Sequence, residues 1–223
     1  MARINVYWAF ALALTAAAWA ASIGLYPYLP ATIPTHWNIH GQVDGYGPKA
    51  STVFLFPVFM VGMLGLFRAL PALSPKDFGV DSVRAASAFV MVVVVGLFAY
   101  LHGVILLATW QRVTHAPHPF DLGRALFAGM FLSLGLIGGV LGKVRRNALI
   151  GVRVPWTLTN DRVWDETHRL AARTIVVGGL VGFLVAVTGG PLVVAFAALI
   201  LSVAVPVAYS FVRYKRLERE GTL

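Results

Sequence analysis

The chain contains no cysteine, so a disulfide framework, a thiolate metal centre and a cysteine nucleophile are all excluded. Charge is nearly as scarce. Asp, Glu, Lys and Arg make up 12% of the 223 residues, about half the share of an ordinary soluble domain. Only nine residues are acidic, and none falls in the long apolar blocks, which leaves proton-coupled transport without an obvious carrier. What fills the chain instead is apolar surface, at 58% of residues, more than a soluble fold of this size conceals.

The apolar residues gather in six blocks, about 6–26, 51–70, 84–109, 124–142, 170–188 and 191–212. Each is long enough to cross a hydrocarbon core of about 30 Å as a helix, which takes roughly 20 residues. The blocks are apolar all round rather than alternating with period two, so the expected fold is all-α: a polytopic helical membrane bundle, not a barrel. The first block is too long for a signal-peptide core and lacks a small-residue cleavage site after it, so it reads as a retained span.

Basic residues fix a direction. The N-terminus, the second and fourth connections and the C-terminus together carry 15 of the 18 Lys and Arg, against three on the other side. By the positive-inside rule both termini are expected in the cytoplasm of a bacterial-type cell, with the chain in the cytoplasmic (inner) membrane. The net charge of +9 then reflects attraction to anionic lipid headgroups; no direct nucleic-acid partner and no cofactor are expected. Glycines four apart at Gly135/Gly139, Gly138/Gly142 and Gly178/Gly182 predict close packing of the fourth and fifth spans, and Pro57 and Pro206 predict kinks.

Two connections are more than linkers. The first, 27–50, is expected outside. Pro27, Pro30 and Pro34 forbid a regular helix, and Asp44-Gly45 and Gly47-Pro48 signal turns. If the run is a strand, His36, Asn38 and His40 share one side, with Asp44 and Lys49 following a turn, so these five are candidate binding residues. His36, His40 and Asp44 are of zinc-ligand type, although strand spacing holds the two imidazoles apart; a hydrogen-bonded lid is the alternative. His102, in the third span, is expected to bond a neighbouring helix.

The second connection, 143–169, is expected inside. Gly151 and Pro155 predict an extended stretch, and Thr159 or Asn160 caps a helix that runs from Asp161 into the fifth span. On that helix Trp164 and His168 share a face and Asp165 precedes Arg169 at ion-pair spacing. Arg153, Pro155, Trp156, Thr157, Trp164, His168 and Arg169 are the candidate binding residues of a loop folded back on that face; Trp and Arg anchoring at the headgroups is the simpler alternative.

These two loops resemble the SdpI family of bacterial membrane proteins, in which an amino-terminal domain of formerly unknown function precedes the SdpI domain. The resemblance rests on Pro34, His36, Asn38, Gly41, Asp44, Gly45 and Lys49 in the first loop. In the second it rests on Asn147, Gly151, Arg153, Pro155, Trp156, Thr157, Leu158, Trp164, Thr167, His168 and Arg169. Val154, where the family often has threonine, and Ala172, near a frequent glycine, depart from the pattern. The resemblance implies an amino-terminal domain over 1–110 and an SdpI-like domain over 111–223. It implies an immunity protein that protects against a secreted peptide toxin outside and signals by holding a transcriptional repressor inside. The alternatives from other classes are a membrane enzyme pairing His168 with Asp165 or Glu166, or a small-molecule transporter. The enzyme lacks a serine or cysteine partner, and Thr167 is a poor lone nucleophile.

Overall fold

The computed structural model describes residues 2–37, 43–73, 83–115, 120–147 and 149–223. Among these residues seven α-helices and one hairpin follow in order: α1 (Ala2–Leu25), β1 (Thr32–Trp37), β2 (Val43–Pro48), α2 (Lys49–Leu73), α3 (Arg84–Val113), α4 (Leu122–Leu141), α5 (Pro155–Thr159), α6 (Asp161–Thr188) and α7 (Leu192–Arg219). Six of the helices, all but α5, are long and apolar enough to cross a membrane. Most of each apolar segment faces outward, as with Val193, Val6 and Ile200, so lipid must cover it. The chain is a multi-pass membrane protein of helical bundle type.

The first three long helices pack around α3, and α4, α6 and α7 pack around α6; the two groups meet along a seam between α3 and α4. Within the first group a core of Ala11, Met60, Met91 and Val95 joins all three helices. Nearby, Ser22 Oγ donates to the Val53 carbonyl oxygen at 3.0 Å and lies 3.0 Å from His102 Nε2. With the hydroxyl proton committed, the imidazole Nε2–H is the donor, so His102 bonds its neighbour helix as expected.

The glycine pattern acts where it was predicted. A β-carbon on Gly179 of α6 would lie 2.6 Å from the Gly135 nitrogen and 2.7 Å from the Phe131 carbonyl oxygen of α4. One on Gly138 would lie 2.8 Å from Ile175. Gly178, by contrast, turns to α7, where Ser202 fills the space its side chain would take. Pro57 and Pro206 sit inside α2 and α7 and are both buried.

β1 and β2 form an antiparallel hairpin, and its root is held by Leu29, Ile33, Val53 and Leu106. Asn38 and His40 lie outside the described residues.

Candidate functional site

The chain between α4 and α6 folds back on α6 and α7. Asn147 staples its first turn: Oδ1 accepts from the backbone nitrogens of Leu149 and Ile150, each at 2.7 Å, and Nδ2 donates to the carbonyl oxygens of Arg145 (2.8 Å) and Ile150 (3.1 Å). All four hydrogen-bonding positions of the amide are used, and the residue is buried. Gly151 then turns with φ of +130°, a conformation glycine alone adopts freely.

That turn delivers Val152 N–H to His168. The nitrogen donates to His168 Nε2 at 2.9 Å, while His168 Nδ1 lies 2.8 Å from the Trp164 carbonyl oxygen one turn back. Nε2 therefore accepts and Nδ1–H donates, which fixes the tautomer. The His168 ring stacks on Trp164 with centroids 3.9 Å apart and planes at 21°. Trp164 is fully buried, and its indole Nε1–H donates to the Val144 carbonyl oxygen at 2.8 Å. The predicted shared face of Trp164 and His168 is thus occupied by the backbone of the preceding loop.

Thr157 and Trp156 fasten the next segment. Thr157 Oγ1 accepts from Val154 N at 3.1 Å and donates within 2.7 Å of the Val152 carbonyl oxygen, closing the turn that begins α5 with Pro155. Trp156 Nε1–H donates to Ser210 Oγ on α7 at 2.8 Å, and its ring meets Phe211 edge-on. Asn160, rather than Thr159, caps α6 by accepting from Val163 N at 3.0 Å. Arg146 ties the cap down, with Nε 2.7 Å from Asp161 Oδ1. Arg153, Pro155 and Arg169 are exposed on the outside of this folded loop.

Two expectations are corrected. Among the described residues Asp165 makes no ion pair with Arg169. The engaged acid is Glu166, whose Oε2 lies 2.6 Å from Arg213 Nε and accepts from Tyr209 OH at 3.0 Å, with Arg162 on Oε1. An exposed pair on one helix is worth only a few tenths of a kcal/mol, whereas the Arg213 fork binds both oxygens of one carboxylate. Both His168 nitrogens bond backbone groups, and Glu166 is held by Arg213 and Arg162. Ser210, Arg146 and Arg213 were not singled out from sequence, and Glu166 was named only as a possible partner of His168. Only the spacing of Arg162 with Glu166, and of Tyr209 with Arg213, four apart on helices, hinted at that cluster.

On the hairpin, His36 Nδ1 lies 2.5 Å from Asp44 Oδ1, and both side chains are exposed. Lys49 does not join them. Its ammonium reaches back to the carbonyl oxygens of Tyr26 (3.0 Å) and Leu29 (3.1 Å) and lies over the Tyr26 ring. The long stem lets the charge reach the carbonyls that follow α1. Of the candidate zinc ligands, His36 and Asp44 bond each other and His40 lies outside the described residues. No three metal-ligating side chains come together among the described residues.

Two families match the chain: the SdpI/YfhL protein family over residues 143–210 and a domain of unknown function, DUF1648, over 13–61. The first covers the folded loop with α6 and most of α7, the second the hairpin with the last half of α1 and the first half of α2. The chain is 29% identical over 201 residues to the immunity protein SdpI of Bacillus subtilis (strain 168), an alignment that spans 88% of this chain and 90% of that one. No solved structure matches it significantly. The chain is a multi-pass membrane protein that carries a match to the SdpI/YfhL family behind a match to DUF1648.

Proposed function

We propose that this protein is a non-catalytic immunity receptor of the SdpI type in a bacterial cytoplasmic membrane, protecting its cell from a secreted peptide toxin. The observation that carries this is the reach of the similarity to an immunity protein, which runs through both special connections and nearly the whole of each chain. In this reading the charge asymmetry puts both termini and the α4–α6 loop in the cytoplasm and the hairpin outside. The hairpin, with His36 and Asp44 bonded across it and Lys49 holding its root, meets the toxin, and Asn38 and His40 remain candidate contacts by sequence. Residues 1–110 and 111–223 act as two domains, a division supported by the packing of α1–α3 apart from α4, α6 and α7.

The inner loop divides into supports and contacts. Thr157, Trp164 and His168 are buried and hold the loop on α6. Arg153, Pro155, Arg169 and the edge of Trp156 form the surface a repressor would bind, and a basic surface of this kind fits an acidic partner.

Complementation tests the proposal. A Bacillus subtilis strain lacking SdpI should regain toxin resistance on expressing this chain, and an Arg153→Lys variant at equal membrane abundance should be defective in signalling, since lysine keeps the charge and loses the guanidinium fork. Wild-type protein that reaches the membrane in normal amounts and gives no protection refutes the immunity reading.

A further inference from the structure

Along the α3–α4 seam the two helical groups leave a groove of about 700 Å³, open to the membrane. Its floor is set by glycines. Gly135 and Gly139 recess the face of α4, and Val176 and Gly179 of α6 lie behind them. Phe89 and Leu136 form its walls, and at one end, just past the last residue of α4, stands Lys143. Lys143 is exposed and makes no ion pair among the described residues. A second apolar space of about 380 Å³ continues the groove away from Lys143, sharing Phe89, Leu132 and Leu136.

We infer that this groove is a binding site for one anionic phospholipid, with an acyl chain along the glycine-floored seam and the headgroup phosphate on Lys143. The charge pattern selects the occupant: one cation at one end of a groove whose other lining residues, Tyr7 apart, are apolar matches an amphiphile with a single anionic head. The length agrees. The eleven residue steps from Leu132 to Lys143 rise about 16 Å in a helix, and one leaflet contributes about half of the roughly 30 Å hydrocarbon core. A transmembrane partner helix would instead need a contact running the full core, and the cation at the end of the groove would add nothing to it. A lipid held here would bridge the two helical groups at the place where their contact is incomplete.

Native mass spectrometry of the full chain released from nanodiscs of equimolar palmitoyl-oleoyl phosphatidylglycerol and phosphatidylcholine tests the site. Wild-type protein should retain phosphatidylglycerol preferentially, and Lys143→Gln should cut that preference about fivefold, the worth of one lysine near a phosphate. Gly139→Leu should abolish lipid retention. A β-carbon at Gly139 meets only Val176, at 3.9 Å, so the larger side chain enters the groove rather than the α6 backbone. Equal retention of both lipids by the wild type, or an unchanged preference in Lys143→Gln, overturns the proposal. So does a dimer mass that Gly139→Leu removes, since that assigns the groove to a second copy. Should Gly139→Leu fail to accumulate, Lys143→Gln decides alone, because its side chain is exposed and its loss leaves the packing intact.

Discussion

Gly151 and His168 share one space: a β-carbon on residue 151 would fall directly on His168 Nε2, the atom that accepts the Val152 N–H. The loop can lie against α6 only because residue 151 has no side chain and a positive φ. Gly151→Ala should therefore loosen the loop. With about 2 kcal/mol of backbone strain and lost hydrogen bonding, cleavage by trypsin at the exposed Arg153 in detergent micelles should accelerate roughly thirtyfold, if it tracks the open population. Unchanged cleavage would mean that the Val152–His168 contact does not hold the loop.

Trp156 ties α5 to α7 through its ring on Phe211 and through its Nε1–H, which donates to Ser210 Oγ. Ser210→Ala and Trp156→Phe should each lower thermal stability by about 1 kcal/mol, and the double variant should cost little more than either alone. Full additivity in this double-mutant cycle would show that the two residues do not interact.

The sequence announced the spans and the start of α6 because those signals are local: unbroken apolar blocks, an Asn160 cap and an Asp161 in the first turn. It also pointed to the face shared by Trp164 and His168. It pointed to the loop that folds back on that face but not to the groups that meet it, because the acceptor and donor are backbone groups of Val144 and Val152, which carry no residue signature. Ser210 was equally invisible, lying 54 positions from Trp156 with no periodicity to join them. Lys49 was grouped with His36 and Asp44 by nearness in sequence, but its flexible stem carries the charge to the carbonyls of Tyr26 and Leu29.

The α4–α6 contact makes an asymmetric prediction about glycines. Gly179→Val places its side chain against the Gly135 and Phe131 backbone, which cannot yield, and should eliminate monodisperse protein on size exclusion. Gly139→Ala meets nothing closer than 3.9 Å and should elute as wild type. Equal behaviour of the two variants would contradict the close packing of Gly135 on Gly179.

The receptor account stands on the hairpin and the folded loop lying on opposite faces of the membrane, and the absence of native cysteine makes this directly measurable. Single cysteines at Tyr46 on β2 and at Thr159 at the end of α5, both exposed positions, can be probed in intact cells with a membrane-impermeant maleimide. The account predicts labelling of Tyr46→Cys in intact cells and of Thr159→Cys only after permeabilisation. Labelling of both in intact cells, or of Thr159→Cys alone, would contradict it.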